Sequence, residues 1–307
     1  MLGRNQRKGE PVRMHDGQAS VDAALVRRLV AGQFPQLAGL PVIGISSPGT
    51  VNAIYRIGDD WYARLPLLEK WQSGLEYEAR WLPWLAPRLT LAIPEPVWAG
   101  RPAEGYPFGW AIYRWLDGSP YADDLVDDEG KAAADLARFV TELRQVEPVS
   151  EAPRTGRRPL EELDVTTQES FAAAAGAIDV DGAFLAWQDS LRAAPWDGSP
   201  VWIHSDLLRP NVLVHNGRIS AVIDFGAVGV GDPATDVIAA WAVFGPAGRV
   251  AFRAALGVDD DTWRRSRGIA LHQAVALIPY YAESNPAFAA LGRRTARQVI
   301  ADFRDGG

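Results

Sequence analysis

The sequence predicts an α+β fold in two lobes: a small, antiparallel, β-rich N-lobe and a larger, mostly helical C-lobe. Three observations carry this. The first third holds short apolar runs separated by turn residues. The stretch from Pro233 to the end has helical spacing throughout, and no internal repeat divides the 307 residues. That length fits two domains or one two-lobed unit, with a seam expected near residue 117.

The elements follow in order. Val21, Leu25, Leu29, Val30 and Phe34 recur at helical spacing and predict a first helix. Val51 to Ile57 and Trp61 to Leu65 read as strands joined by the turn residues Gly58, Asp59 and Asp60. A helix starts at Ser73, with Glu76 three residues on as a capping box, and Pro83 should kink or end it. Trp110 to Trp115 reads as a buried strand closed by Asp117-Gly118. A helix is expected from about Lys131 to Arg144, a Pro-, Gly- and Arg-rich loop over 148–160, and further helices to about Ala193. Residues 201–225 form a β-rich segment. Asp232-Pro233 is the expected cap and first residue of the next helix, which Gly245-Pro246 ends.

Composition removes several function classes. Hydrophobic residues make up 48% and charged residues 22%, as in ordinary globular proteins. There is no cysteine, which excludes disulfides, Cys-ligated zinc, iron–sulfur clusters and thiol nucleophiles. The net charge of −7 argues against nucleic-acid binding. No window approaches a membrane span, and residues 1–19 carry basic residues without an apolar region behind them. They read as a disordered tail, with Met14 a candidate start and the cytoplasm the expected location. Of 31 basic residues only Lys8, Lys70 and Lys131 are lysines.

The sharpest pattern lies between residues 204 and 236. Asn216-Gly217 between two apolar runs signals a type I′ hairpin. With those two at the turn, Val214 faces Ile219, Val212 faces Ala221 and Asn211 faces Val222. Asp224 is then the diagonal neighbour of Asn211, about 7–8 Å away. Asp206, five residues upstream of Asn211, can approach the same point. Two carboxylates and a carboxamide suit a hard cation such as Mg²⁺. Phosphoryl transfer uses this equipment: an Asp to accept a hydroxyl proton, and an Asn and an Asp to hold metal on the phosphates. His204 reads as a core histidine supporting the loop rather than a catalyst, and Asp236 as a tie between the following helix and that loop.

Asp206 with Asn211, followed by Asp224-Phe225-Gly226, resembles the catalytic and metal-binding loops of protein-kinase-like enzymes. The longer string is similar to the aminoglycoside phosphotransferase family, which includes macrolide kinases and is related to choline kinases. Its pattern is His-Gly-Asp-Leu-His-Pro-Gly-Asn, then Ile-Asp-Phe-Gly, then Gly-Asp-Pro-x-x-Asp. This chain has His204, Asp206, Leu207 and Asn211, then Ile223 to Gly226, then Gly231-Asp232-Pro233 and Asp236. It departs at Ser205, where the family has Gly, and at Leu208-Arg209-Pro210. The resemblance implies a protein-kinase-like fold, with residues 20–116 a nucleotide-binding N-lobe and 117–307 a catalytic and acceptor-binding C-lobe. It implies transfer of the γ-phosphate of ATP or GTP to a small-molecule hydroxyl, with Mg²⁺ and an aminoglycoside-type acceptor. No nucleic-acid, membrane or protein partner is implied.

By the same resemblance Gly44 to Thr50 is the loop over the phosphates, with Ser47 in it. The phosphate-steadying lysine is missing from its strand, where Arg64 stands instead; a guanidinium is competent for that role. Glu78 interrupts the apolar stripe Leu75, Leu82, Leu85 and is the expected partner of Arg64, against a competing reading of both as solvated. Tyr113 would lie behind the base, with Trp115 and Leu116 as backbone contacts. Trp241, Tyr280 and Glu283 are acceptor-side candidates, with His272 and Tyr281, though core or surface roles suit each of them too. Acidic clusters at Asp123 to Glu129 and Asp259 to Asp261 would attract a polycation, or are solvated faces. The rival functions are a macrolide or metabolite kinase (choline-like, amino-alcohol or sugar), a non-catalytic nucleotide-binding module, and a His204-based metallohydrolase.

Overall fold

A computed structural model describes residues 18–45 and 51–306. Ser47 and most of the 44–50 and 1–19 expectations lie outside the described residues. The chain divides into two compact units, one ending at Gln72 and including Trp98–Ile112, the other comprising Ser73–Val97 and Tyr113 onward. The division therefore places the first long helix after the strands with the second unit, whereas the sequence seam stands near 117.

In the first unit, α1 (Ala23–Gln33) begins where the Asp22 carboxylate accepts the Leu25 N–H at 2.7 Å. Its buried Leu25, Val26, Leu29 and Val30 form the stripe expected from the sequence. A sheet runs in the order β1-β2-β3-β5-β4, with β1 Val42–Ile45, β2 Asn52–Ile57, β3 Trp61–Pro66, β4 Pro96–Gly100 and β5 Trp110–Arg114. β1/β2 and β2/β3 are antiparallel. Gly44 and Ile45, expected in a loop, are instead strand residues opposite Tyr55 and Ile54, because the β-branched Val42, Ile43 and Ile45 extend the ladder. The α1 stripe buries Ile57, Ala63, Leu65, Trp110 and Ile112 from the sheet.

The second unit contains α2 (Ser73–Leu85), whose buried face is Leu75, Glu78, Trp81, Leu82 and Leu85. Pro83 sits inside its last turn and the helix stops two residues later. Then come α3 (Glu129–Gln145), α4 (Leu160–Ala173), α5 (Val180–Ser190), and strands β6 (Ser119–Pro120), β7 (Val201–Ile203), β8 (Val212–His215), β9 (Arg218–Val222) and β10 (Gly229–Gly231). Five helices close the chain: α6 (Ala234–Val237), α7 (Ala239–Ala242), α8 (Pro246–Leu256), α9 (Asp260–Tyr280) and α10 (Pro286–Arg304). α9 is central, packing on α4, α5, α6 and α10. No helix among the described residues is long and apolar enough to cross a membrane.

The 214–219 turn has positive φ at both Asn216 (51°) and Gly217 (76°), as a type I′ turn requires. The register beyond it differs from expectation. Val214 faces Ile219, but Leu213 faces Ala221 and Val212 faces Val222, because Ser220 is an extra residue bulged out of β9. Its hydroxyl donates to the Asp117 carbonyl at 3.1 Å, which anchors the bulge. Asn211 is consequently opposite Ile223, whose N–H it receives at 2.9 Å, and not opposite Val222.

Candidate active site

The loop from His204 to Asn211 leaves the end of β7, which is laddered to β10 through Ile203 and Gly229. Asp236, in α6, fixes its entry: Oδ2 accepts the His204 N–H at 2.7 Å and Oδ1 the Ser205 N–H at 2.8 Å. Asp236 is fully buried. Burial raises its pKa, and the two N–H bonds oppose that rise.

His204 is likewise buried, edge-on to Phe225 with ring centroids 4.5 Å apart. Its Nδ1 accepts the Asp206 N–H at 3.2 Å, so the proton of the ring sits on Nε2, which donates to the Ile223 carbonyl at 3.0 Å. Both nitrogens are thereby engaged with backbone, and His204 joins the loop to the strand behind it. Ser205 follows with φ of 76°, the left-handed region that favours glycine. The glycine of the family pattern falls at this residue, and in this chain a serine adopts the left-handed backbone.

Asp206 is the centre of the arrangement. Oδ2 accepts from Asn211 Nδ2 at 2.9 Å and Oδ1 from Gln273 Nε2, in α9, at 3.0 Å. Burial first, and then the negative charge of Asp224, raise its pKa. Asn211 Nδ2 also donates to the Asp206 carbonyl at 2.9 Å. The amide nitrogen of Asn211 being committed to Asp206, its oxygen is turned to the other side. Asp224 itself is exposed and has φ of 66°. The sequence thus placed three residues at one point, and the structure brings Asp206 and Asn211 into contact with Asp224 close enough to act on the Asp206 charge. The donors are all oxygens, a set that fits a hard divalent cation. Among the described residues no cluster of three or more His, Asp and Glu offers a rival metal site.

The departure at Leu208-Arg209-Pro210 has a structural explanation. Residues Arg209–Asn211 form one tight 3₁₀ turn, with Leu207 and Leu208 buried. Arg209 reaches away from the site: Nε donates to the Val243 carbonyl at 2.8 Å, Nη2 donates to Asp123 at 2.5 Å, and the guanidinium lies 5.2 Å from the Tyr121 ring centre. A second brace is the 153–156 segment. Thr155 N–H donates to Val230 and the Val230 N–H to Pro153, so this segment runs along β10. A Cβ on Gly231 would meet the Thr155 carbonyl at 2.3 Å, which is why only glycine serves there.

Of the residues expected on the nucleotide side, Tyr113 and Glu78 are both fully buried, and the tyrosine hydroxyl donates to Glu78 Oε2 at 2.5 Å. Arg64 is buried on β3. With the Asn52 amide turned so that its oxygen faces the guanidinium, that oxygen accepts from Arg64 Nε at 2.9 Å and Nη2 at 3.0 Å. Arg64 and Glu78, the expected pair, belong to different units. Trp115 and Leu116 are half-buried in the segment after β5, with Trp115 Nε1 donating to Asp117 at 3.0 Å.

The acceptor-side candidates scatter. Trp241 is core, not pocket: it is fully buried, bonded to Asp302 and packed 4.5 Å from Trp263. An indole with both its face and its N–H engaged has nothing left for a ligand. Tyr280 and Glu283 are exposed at the end of α9, and Tyr281 stands edge-on to Tyr280. His272 packs near Trp187 and bonds Thr167 at 2.8 Å.

Most of the acidic runs are structural. Asp128 caps α3 and Asp259 caps α9. Glu129 accepts the Gly245 and Gly248 N–H groups at the start of α8. Asp123, Asp260 and Asp261 pair with Arg209, Arg253 and Arg264.

Gln273 and Asn52 were not foreseen. Asn52 was legible, since it is the diagonal cross-strand neighbour of Arg64 in the β2/β3 register. Gln273 carries no local signal, lying 67 residues from its partner.

The chain is similar to several known proteins. The uncharacterized protein YcbJ of Bacillus subtilis (strain 168) is 27% identical over 205 residues, 61% of this chain, and the match spans 64% of that relative's length. The GDP complex of wild-type aminoglycoside 2′-phosphotransferase-IIIa shares the fold with a TM-score of 0.68 at 19% identity, over 92% of this chain and 100% of that one. Apo macrolide 2′-phosphotransferase MphH from Brachybacterium faecium does so with a TM-score of 0.60 at 21% identity, over 90% and 97% of the two chains. Such likenesses establish a kinase-like fold. The profile of the phosphotransferase enzyme family matches residues 45–269, a span that contains the whole loop from His204 to Asn211, Asp224 and Asp236, and the chain belongs to that family.

Proposed function

We propose that this protein is a nucleotide- and Mg²⁺-dependent kinase that phosphorylates a hydroxyl of a small molecule. The observation that carries the reading is the Asp206 carboxylate held by two neutral amides, from Asn211 and Gln273, beside Asp224. Amides orient a carboxylate without neutralising it, so it keeps the capacity to accept a proton. In the proposed reaction the acceptor oxygen attacks the γ-phosphorus and its proton passes to Asp206. The bond from that phosphorus to the bridging oxygen breaks, and the nucleoside diphosphate leaves.

Asn211 and Asp224 would hold Mg²⁺, which when bound neutralises charge on the phosphates. In this reading Arg64 takes the phosphate-steadying role that lysine has in protein kinases, Glu78 and Tyr113 keep the roles expected of them from the sequence, Ser47 belongs to the loop over the phosphates, and the Trp115 and Leu116 backbone serves the base. ATP and GTP are the candidate donors. For the acceptor, the aminoglycoside and macrolide classes named for the structural neighbours are both candidates, together with choline-like metabolites. The ion pairs of Asp123, Asp260 and Asp261 with Arg209, Arg253 and Arg264 offset part of the negative charge on which the polycation reading drew.

The test is nucleoside diphosphate release with Mg²⁺ and ATP or GTP, across kanamycin, a macrolide and choline. Acceptor-dependent release is expected, and Asp206→Ala should abolish it while nucleotide binding persists. Asp224→Ala should also weaken the Mg²⁺-dependent part of nucleotide binding. Undiminished transfer in Asp206→Ala would refute the mechanism.

A further inference from the structure

Helix α2 is fastened to the rest of its unit at three successive turns. At its start, a Cβ on Gly74 would lie 3.8 Å from the Gly226 Cα, so the helix rests on the turn that follows Asp224. One turn on, Glu78 accepts from the Tyr113 hydroxyl. After that, Trp81 and Trp84 pack on Trp202 of β7, with ring centroids 5.1 and 5.6 Å from it. Trp81 follows Glu78 by three residues on the same buried face, so the rotation of α2 that seats the indole also aims the carboxylate.

Trp202 is fully buried and stands two residues before His204, in the strand that launches the 204–211 loop. That strand is fixed in turn by its ladder to β10, with Trp202 opposite Val230. The Trp202 indole N–H has no hydrogen-bond partner among the described residues, so the ring serves by its faces and edges and not as a donor.

We propose that Trp202 is a positioning residue. Through Trp81 and Trp84 it fixes α2 on the strand that carries the catalytic loop, and so holds Glu78 for its expected role toward the nucleotide. α2 then keeps its place with or without nucleotide, and no swing of this helix switches the enzyme. The proposal rests on the kinase reading above and adds to it the part that aligns one side of the site with the other.

The test is calorimetric binding of Mg²⁺–ATP and Mg²⁺–GTP to the full-length protein, with hydrogen exchange over residues 73–85. Trp202→Leu loses both ring contacts and should weaken nucleotide binding about fivefold or more. Trp202→Phe keeps an aromatic ring and should stay within about twofold of wild type. In a Glu78→Gln background, Trp202→Leu should change the affinity by less than about twofold, because its effect passes through Glu78. Exchange of α2 should be the same in wild type with and without nucleotide. In Trp202→Leu it should quicken about tenfold in the free protein and slow again when nucleotide binds.

Nucleotide affinity within about twofold of wild type in a folded Trp202→Leu would overturn the proposal, as would a full-sized Trp202→Leu effect in Glu78→Gln. Exchange of α2 slowed by nucleotide in the wild type would overturn it too. Where Trp202→Leu does not fold, Trp84→Leu decides, since it removes one contact and leaves β7 intact. Affinity lowered more than about twofold in that variant supports the proposal, and a smaller change overturns it. Nucleotide bound by the wild type without any Asp206-dependent release of nucleoside diphosphate defeats the kinase reading, while the binding comparisons still decide the role of Trp202. No nucleotide binding at all in the wild type defeats both.

Discussion

Asp236 holds the start of the 204–211 loop by its backbone alone, one carboxylate oxygen on the His204 N–H and the other on the Ser205 N–H. A carboxylate presents two acceptors where the loop presents two donors, and neither an amide nor a hydroxyl matches that count. Asp236→Ala leaves two buried N–H groups unsatisfied and should cost about 2–4 kcal/mol in urea unfolding. Asp236→Asn keeps one acceptor and should cost about half as much. Equal stability of Asp236→Ala and wild type would show that the loop is held some other way.

Ser205 has φ of 76°, where an L-residue is strained and glycine is not. Its hydroxyl has one long contact, 3.4 Å from Thr155 Oγ1. Ser205→Gly should therefore relieve strain and stabilise the protein by up to about 1 kcal/mol, part of which is offset by the freer unfolded chain. Turnover should stay within about twofold of wild type, since Asp236 accepts from the backbone and not from the side chain. Chemical unfolding of the two proteins at one pH decides it; a Gly variant less stable by more than about 1 kcal/mol would assign the hydroxyl a role in the turn.

Arg209 replaces part of the usual family loop and spends its guanidinium on Val243, Asp123 and Tyr121. Arg209→Met removes all three contacts and should destabilise by about 2 kcal/mol, with a drop in kcat as Asp206 loses its fixed position. Asp123 is two-thirds exposed, so Asp123→Asn should cost under about 0.5 kcal/mol. Melting temperatures of both variants separate a backbone anchor from a surface ion pair. Equal losses would mean that the ion pair carries the effect.

These residues also show what a sequence makes legible. Asn216-Gly217 and the Leu75-Glu78-Leu82-Leu85 stripe are local patterns, one set by a turn geometry and the other by a helical period. The Asp206-to-Asn211 spacing was legible because one 3₁₀ turn closes it. The bulge at Ser220 was not, since it depends on the Asp117 carbonyl 103 residues away. Gln273 was hidden for the same reason, a long helix carrying a single side chain to a distant loop. Trp241 misled because aromatic residues fill cores as readily as they line pockets. The acidic runs left both readings open because a carboxylate at a helix start does the same work whether or not a ligand is near.

His272 makes the last prediction, one of sign. Its ring lies near Trp187, and burial first, then the positive charges of Arg157 and Arg158, push its pKa down to about 4 from the ordinary 6.5. The Thr167 hydroxyl gives its one proton to the Leu163 carbonyl at 2.7 Å, so His272 Nδ1–H is the donor across their 2.8 Å contact. The folded protein thus keeps the ring neutral at pH values where the unfolded chain has already protonated it. Between about pH 6.5 and 4 the unfolded state binds the extra proton, so stability must fall as pH falls through that window. Above 6.5 the contribution is present in full, and below 4 no more of it is lost. Because the ring is only partly buried, the loss should be about 1–2 kcal/mol and not the full shift. His272→Gln keeps a donor toward Thr167 and cannot titrate. Urea unfolding at pH 7 and pH 4.5 should show wild type losing about 1–2 kcal/mol more than this variant. Parallel losses in the two proteins would show that His272 stays as easily protonated in the folded chain as in the unfolded one.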